Sequence, residues 1–458
     1  MATRDVPRRI EPGRDARRIA QEVLVRVETT EAFADELLTH RLAASPLGSA
    51  DRGLTTRLVY GTLAWQGRLD HHLGTLLRSS LAGFEPPVRA ALRLGLYQLM
   101  FLERVPAYAA VDSSVRLAQR AGRGAAGLVN AVLRRAAAAG RSGLALPDPV
   151  GDALGRLAVE WSHPRWLVER WAEDFSAEEL PDLLAADNLP GGTALRTNTL
   201  RTTRDALVAE LEAAGAAARP SIWAREGVVV ERNSAGLREL PAWRDGRFAF
   251  QSEASQLVTP LLGLHPGARM LDVCAAPGGK SGHAAARVGN AGLVVALDRR
   301  VVGVQRIRNE TTRLGARLVA LVGDACRAPI RGTFDAVLVD APCSGLGTLR
   351  RHPELRWRRQ PADVPRLAAL QRDLLAGVAT FVRPGGVLVY AVCTLAREEN
   401  ADVVTALAAS HPRFVVESVA AAPDPPPAAT ITPSGFLMTL PHRHGLDGFF
   451  AARLRARG

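Results

Sequence analysis

Residues 268–298 constrain this chain more than any other stretch. They read Ala-Arg-Met-Leu-Asp-Val-Cys-Ala-Ala-Pro-Gly-Gly-Lys, then a small-residue segment, then Leu-Val-Val-Ala-Leu-Asp. An apolar run ends at Val273, and a tight loop with Pro277, Gly278 and Gly279 follows. Ser281 is placed to cap a helix beginning near Gly282. A second apolar run, Leu293 to Leu297, ends in Asp298. The pattern is strand, glycine-rich turn, helix, strand, acid, and it predicts a parallel α/β sheet.

The glycines let a ligand approach the backbone closely, and a helix start leaves amides unpaired. An acid about 20 residues after the turn suits ribose hydroxyls. The turn is not Gly-x-Gly-x-x-Gly. Gly279-Lys280-Ser281 fits the tail of a phosphate-binding P-loop, but the first glycine of that pattern falls on Cys274. A nucleoside cofactor without a pyrophosphate fits better, and S-adenosylmethionine is the obvious one. Lys280 is the only lysine among 58 basic residues, so its ammonium answers a chemical need that arginine does not meet.

The chain has 458 residues, enough for two to four domains, and its 47% hydrophobic and 23% charged residues suit a soluble globular protein. Net charge is +12, and residues 1–145 supply +8 of it, with 21 Arg against 13 Asp and Glu. A basic excess of this kind points to nucleic acid. Aromatics are only 5%, so base stacking must come from few sites. Cys274, Cys326, Cys343 and Cys393 form no Cys-x-x-Cys pair and all lie in the last half, so reduced thiols in the cytoplasm are expected, without a metal. Met1 to Arg18 is polar and does not read as a signal peptide. No apolar run approaches the ~20 residues that span a bilayer, so no membrane partner is expected.

Residues 15–140 show apolar spacing near 3.6 in Ala16–Val27, Leu54–Trp65, Val88–Leu102 and Val111–Arg135, which predicts an all-α bundle. Leu92, Leu96, Leu99 and Met100 share one face. Asp70, His71 and His72 read as a polar helix turn. Gly140–Glu160 reads as a linker. In 161–250, helices over Trp166–Phe175, Glu178–Ala186 and Thr203–Ala214 and strands over Ala194–Asn198 and Gly227–Glu231 predict a small α+β module. Phe248–Gln251 leads into a helix over Ser255–Leu262. Beyond residue 268, strands alternate with helices as in a doubly wound sheet, with later strands at Leu318–Val322, Ala336–Val339, Val387–Ala391, Phe414–Val416 and Phe449–Leu454.

Ligands sit at the carboxyl ends of strands in such sheets. Those ends carry Cys274 to Lys280, Asp298, Asp324, Asp340 to Cys343, and Val392-Cys393-Thr394. Three carboxylates and three cysteines therefore converge on one edge. These motifs resemble the RNA cytosine-C5 methyltransferases of the Nol1/Nop2/Sun family. The residues that carry the resemblance are Cys274-Ala275-Ala276-Pro277-Gly278-Gly279-Lys280, Asp340-Ala-Pro-Cys343-Ser344-Gly, Arg351-His-Pro-Glu354-Leu-Arg-Trp357, Tyr390-Ala-Val-Cys393-Thr, Glu398-Glu-Asn400 and Asp447-Gly-Phe-Phe450. Residues 1–145 resemble the NusB domain, an RNA-binding helical bundle, and 161–250 resemble the family's RRM-like module. Residues 251–458 resemble its Rossmann-like class I methyltransferase domain. The three-part layout is similar to the RsmB/Sun type.

The resemblance implies transfer of a methyl group from S-adenosylmethionine to C5 of a cytosine in 16S ribosomal RNA or a small-subunit precursor, the family site being cytosine 967. A monomer is the default expectation, and the reduced thiols place it in the cytoplasm. The resemblance assigns the nucleophile to Cys393 and product release to Cys343, although DNA cytosine methyltransferases use the Pro-Cys position, here Cys343. It also implies that Cys274 to Lys280 form the cofactor loop. By the same resemblance Asp298 holds the ribose, Asp324 lies by the adenine, Asp340 lies between cofactor and base, and Lys280 orients Asp340 or the base. Two departures stand out. Val392 replaces the usual Thr before Cys393, and Gln251-Ser252-Glu253 replaces the usual Gln-acid pair. Arg350, Arg351, Arg356, Arg358 and Arg359 read either as a phosphate track beside Trp357 or as a solvated helix start. Two other functions fit these features: a transfer-RNA methyltransferase of the same chemistry, and a non-catalytic RNA-binding assembly or antitermination factor.

Overall fold

The computed structural model describes residues 15–141, 143–148, 150–232 and 236–458. Most of the expected polar N-terminal segment, Met1 to Arg14, lies outside the described residues. The chain divides into two compact units. One takes the residues up to Leu189 together with Leu349–Arg358, and the other takes Pro190–Thr348 and Arg359–Gly458.

The first unit is helical. Its core is built by Ala16–Thr29, Ser49–Ala64, Gln66–Leu76, Pro86–Phe101, Ala107–Ala118 and Arg123–Ala139. Asp15 opens the first of these by accepting from the Arg17 amide, and Pro86 opens Pro86–Phe101, where a missing N–H costs nothing. Leu58, Leu69, Leu73, Leu92, Leu96 and Leu133 are fully buried between the helices. The single helix expected over Val111–Arg135 is two, because Gly122 takes φ 113° between them. The expected linker holds a helix, Ala153–Glu160, capped by the Asp152 side chain. Asp70, His71 and His72 lie within the helix Gln66–Leu76, where Asp70 pairs with Arg93 at 2.7 Å.

The basic run fits neither expectation at Arg356 and Arg358. Arg356 is fully buried, and its guanidinium donates to the carbonyls of Ala64, Ser162 and Asp187 and to the Asn188 side chain. Arg358 donates to the carbonyls of Val27, Thr30 and Ala32. Both act as internal clamps, because their donors are spent on backbone carbonyls of their own unit. Glu354, also buried, accepts from the Ala34 amide at the start of helix Ala34–Ala43.

The second unit begins with a small antiparallel sheet: β1 (Thr193–Thr197), β2 (Ala217–Pro220), β3 (Gly227–Arg232) and β4 (Phe248–Phe250), in the order β2-β3-β1-β4. Neither β2 nor β4 is legible as a strand, since both are short and carry no alternation. The helix expected over Ser255–Leu262 is a short turn, Glu253–Gln256, and a 3₁₀ turn, Thr259–Leu262. Pro260 lacks the N–H a continuous helix needs there.

The larger sheet contains β5 (Arg269–Val273), β6 (Leu293–Asp298), β7 (Val319–Val322), β8 (Phe334–Asp340), β9 (Val382–Val392), β10 (Phe414–Glu417), β11 (Leu437–Thr439) and β12 (Phe449–Ala456). Its order is β10-β12-β9-β8-β5-β6-β7, with β11 on β12. From β9 to β7 every pairing is parallel, whereas β12 runs antiparallel between β9 and β10. Leu271, Val273, Val337 and Val339 pack on one face, and Met270, Ala336, Leu338 and Val389 pack on the other. Burial on both faces explains why these strands read as unbroken apolar runs. Strand order reverses between β5 and β8, so their carboxyl ends frame the crevice of a doubly wound sheet.

Among the described residues no helix is long and apolar enough to cross a membrane, and no group of three or more His, Cys, Asp or Glu is placed to hold a metal.

Candidate active site

Register aligns the ends of the central strands. Val273 pairs with Val339, which pairs with Tyr390, so Cys274, Asp340 and Ala391 emerge side by side. The chain leaves β5 with Cys274 at φ 62°, passes a cis Ala276–Pro277 peptide, and turns at Gly278, φ 104°. A Cβ on Gly278 would stand 3.1 Å from the Ile307 Cα, so the loop needs glycine for space as well as conformation. The helix that follows is Gly279–Arg287. It starts earlier than the sequence suggests, and Ser281 does not cap it. Ser281 is buried inside the first turn, and its hydroxyl donates to Asp272.

Asp298 ends β6 with 7% exposure. One carboxylate oxygen accepts from the Ala276 amide at 3.0 Å and the other from the Arg300 amide at 2.9 Å. The acid is thus fixed against the loop. Asp324 is exposed and caps a short turn by accepting from the Cys326 amide at 2.9 Å. Asp340 ends β8 and accepts from Lys280 Nζ at 2.6 Å. Beneath them lies Asp272, which the motif reading passed over. Burial, opposed by the Ser281 hydroxyl, raises its carboxyl to about 7.

The sulfur atoms of Cys343 and Cys393 are 3.4 Å apart. Cys343 follows the end of β8 and Cys393 follows β9. The Cys343 thiol is held well above its ordinary value, first by its hydrogen bond to Cys393, then by burial. Burial also pushes Cys274 up to about 12, helped by Asp272, Asp340 and Asp298. Burial and then Asp324 raise Cys326. Cys274 is surrounded by acids, and at Cys326 burial and Asp324 outweigh the nearby Arg299, so neither site favours a thiolate.

The small sheet grips the loop helix at three successive turns. Arg196 of β1, 2% exposed, donates to the Gly279 carbonyl and to Gln251. Glu226 accepts from His283 at 3.1 Å and forms an ion pair with Arg287 at 2.9 Å. Positions 279, 283 and 287 lie four residues apart and so share one helix face. Burial lowers His283 to about 4, so it is neutral at physiological pH and donates as a neutral ring. Arg196 gave one sequence signal, a lone charge in the strand Ala194–Asn198.

Family models match this chain in three segments. The NusB family covers residues 14–138, the RsmF/B-like ferredoxin-like domain covers 163–235, and 16S rRNA methyltransferase RsmB/F covers 259–455. A Bacillus subtilis (strain 168) protein named probable ribosomal RNA small subunit methyltransferase B is 35% identical over 447 residues, 96% of this chain and 99% of its own. The ribosomal RNA small subunit methyltransferase B of Pseudomonas putida is 37% identical over 88% of this chain and 90% of its own. The crystal structure of PH0851 matches with a TM-score of 0.82 and 25% identity, over 97% of this chain and 99% of that one. A methyltransferase homologue from Pyrococcus horikoshii shares the fold over 67% of this chain and 99% of its own, with a TM-score of 0.59 and 24% identity. Similarity of this extent over nearly the whole length, with the NusB and ferredoxin-like segments in place, makes the chain a member of the RsmB/F family of ribosomal RNA small subunit methyltransferases.

Proposed function

We propose that this protein methylates C5 of a cytosine in small-subunit ribosomal RNA, in the cytoplasm, with S-adenosylmethionine as donor. The observation that carries this reading is the pair of sulfurs, Cys343 and Cys393, 3.4 Å apart at the strand edge that also holds the Cys274–Lys280 loop. The loop suits that donor. Its glycine turn admits a ligand to the backbone, and Asp298 stands at the end of the neighbouring strand, as ribose binding requires. Asp298, fixed at the loop by two backbone amides, gives the crevice an acid on the side where a cationic sulfonium nucleoside would lie. The donor supplies an electrophilic methyl group.

Cytosine C5 is a weak nucleophile. Addition of the Cys393 thiolate to C6 would form the covalent adduct and make C5 enamine-like, so that C5 could take the methyl group from the donor, with S-adenosylhomocysteine leaving. A base then takes the C5 proton, the C5–C6 double bond re-forms, and the Cys393 thiolate leaves. Cys343 keeps its proton, so its S–H is available to hydrogen-bond the departing sulfur. Lys280 holds Asp340 toward the crevice, and Asp324 takes the adenine side. The target base must be unpaired or flipped out for C6 to be reached.

Bisulfite mapping of ribosomal and transfer RNA from a deletion strain tests the reading. One cytosine mark is expected to vanish from 16S ribosomal RNA and to return with the wild-type chain. Loss from transfer RNA instead, or no loss, refutes it.

A further inference from the structure

We propose that Glu399 is a positioning residue for the two-sulfur site: its buried carboxylate grips the residue that follows each cysteine and thereby decides which sulfur attacks. This deepens the reading above and rests on it for the identity of the reaction. Glu399 is fully buried on the short turn Arg397–Glu399. One oxygen accepts from the Ser344 amide at 2.9 Å and from Gln371 Nε2 at 2.9 Å. The other accepts from the Thr394 hydroxyl at 3.3 Å. Ser344 follows Cys343 and Thr394 follows Cys393, and their hydroxyls meet at 2.8 Å.

The struts extend outward. Gln371 Nε2 also donates to the Pro342 carbonyl at 3.0 Å, and Asn400 donates to the Thr394 carbonyl at 3.3 Å. The Gly347 amide donates to the Cys393 carbonyl at 3.0 Å. The two cysteine-bearing loops come from different strands, and one carboxylate ties them into a single frame. A buried charge is costly unless several donors meet it. Two neutral side chains and an amide meet this one, so its charge is balanced by oriented dipoles and not by a cation. Its field therefore reaches Cys343, where it adds to the hydrogen bond with Cys393, burial and the charge of Cys393 in opposing a thiolate. With the proton kept on Cys343, attack falls to Cys393.

The test is iodoacetamide labelling of the full chain from neutral to alkaline pH, without RNA or methyl donor. Peptide mass spectrometry reads the Cys343-to-Cys393 labelling ratio. In the wild type Cys393 labels first. Glu399→Gln preserves shape and reach but drops the charge, and is expected to raise the ratio roughly tenfold, which equals about one pH unit in the Cys343 curve. Thr394→Val cuts one strut and keeps the charge. It should leave the labelling order unchanged while lowering kcat about 100-fold, with KM for S-adenosylmethionine unaltered. An unchanged ratio in Glu399→Gln, or an equal rise in Thr394→Val, overturns the proposal. Should Glu399→Gln melt early, Gln371→Met serves in its place. It strips a donor from the carboxylate, exposes more of its field and is expected to shift labelling further toward Cys393; a shift toward Cys343 overturns the proposal as well. Labelling needs no RNA, so these outcomes are separate from the methylation reading, which fails on its own if the wild type transfers no methyl group.

Discussion

Lys280 Nζ lies 2.6 Å from Asp340 Oδ2 and 5.1 Å from the centre of the Phe449 ring. The chain's only lysine thus sits between an acid at the end of β8 and an aromatic face at the start of β12. A compact ammonium fits this gap on a flexible stem, and a guanidinium fork does not. Lys280→Arg is expected to fold normally and to lose about 100-fold in kcat, because Asp340 is displaced from its place at the crevice. Single-turnover methyl transfer beside a thermal melt checks this. Full activity in Lys280→Arg would show that the lysine is a compositional accident.

Much of the site could be read from the chain because its parts sit on one strand edge. The ends of parallel strands are fixed by apolar runs, and the residue just past each run is therefore placed by the sheet. Cys274, Asp298, Asp340, Cys343 and Cys393 were legible for that reason. Arg196 and Glu399 were harder to see, because their roles depend on contacts between segments far apart in sequence, whereas Asp272 was hidden inside an apolar strand whose burial alone sets its behaviour. Arg196 meets a helix 83 residues away, and Glu399 meets Ser344 at a separation of 55. The basic run 350–359 misled for the same reason: local composition suggests solvent or phosphate, but Arg356 spends its donors on carbonyls as distant as Ala64. The antiparallel insertion of β12 was also invisible, since strand direction leaves no mark in an apolar run.

The two cysteines should fail in different ways. Cys393→Ala removes the sulfur proposed to attack and is expected to give neither methylation nor adduct. On the proposed roles, Cys343→Ala keeps the attacking sulfur but removes the thiol 3.4 Å from it. It is expected to accumulate a protein–RNA adduct that survives denaturing electrophoresis. An adduct seen in Cys393→Ala and absent in Cys343→Ala reverses the two roles.

Asp272 makes stability depend on pH. Its folded-state value, about 7, lies above the unfolded value of 3.8, because burial disfavours the carboxylate. The folded state then holds a proton that the unfolded chain gives up. Its contribution is present in full below the unfolded value and is lost as pH rises through about 7. A shift of about three pH units corresponds to roughly 4 kcal/mol at most. Asp272→Asn, neutral at every pH, should flatten this limb, so its melting temperature gains on the wild type between acid and mildly alkaline buffer. Parallel melting curves for the two proteins at all pH values would show that Asp272 is not the group responsible.

Arg356 separates a structural clamp from an RNA contact. Its guanidinium meets Ala64 O at 2.9 Å, Ser162 O at 3.1 Å, Asp187 O at 2.8 Å and Asn188 Oδ1 at 2.6 Å, all within the helical unit. Burial lowers its value to about 10, still high enough to keep it charged at neutral pH. Arg356→Met would fill much of the volume but strand these acceptors in a dry interior, at a cost of about 3–5 kcal/mol. The expected result is a clear fall in the melting temperature of the helical unit, followed by tryptophan fluorescence. A phosphate contact predicts the opposite pattern: an unchanged melt, weaker RNA binding and a shallower dependence of binding on salt. Arg358→Met, which releases the carbonyls of Val27, Thr30 and Ala32, should move the melt in the same direction by less, because Arg358 is only partly buried.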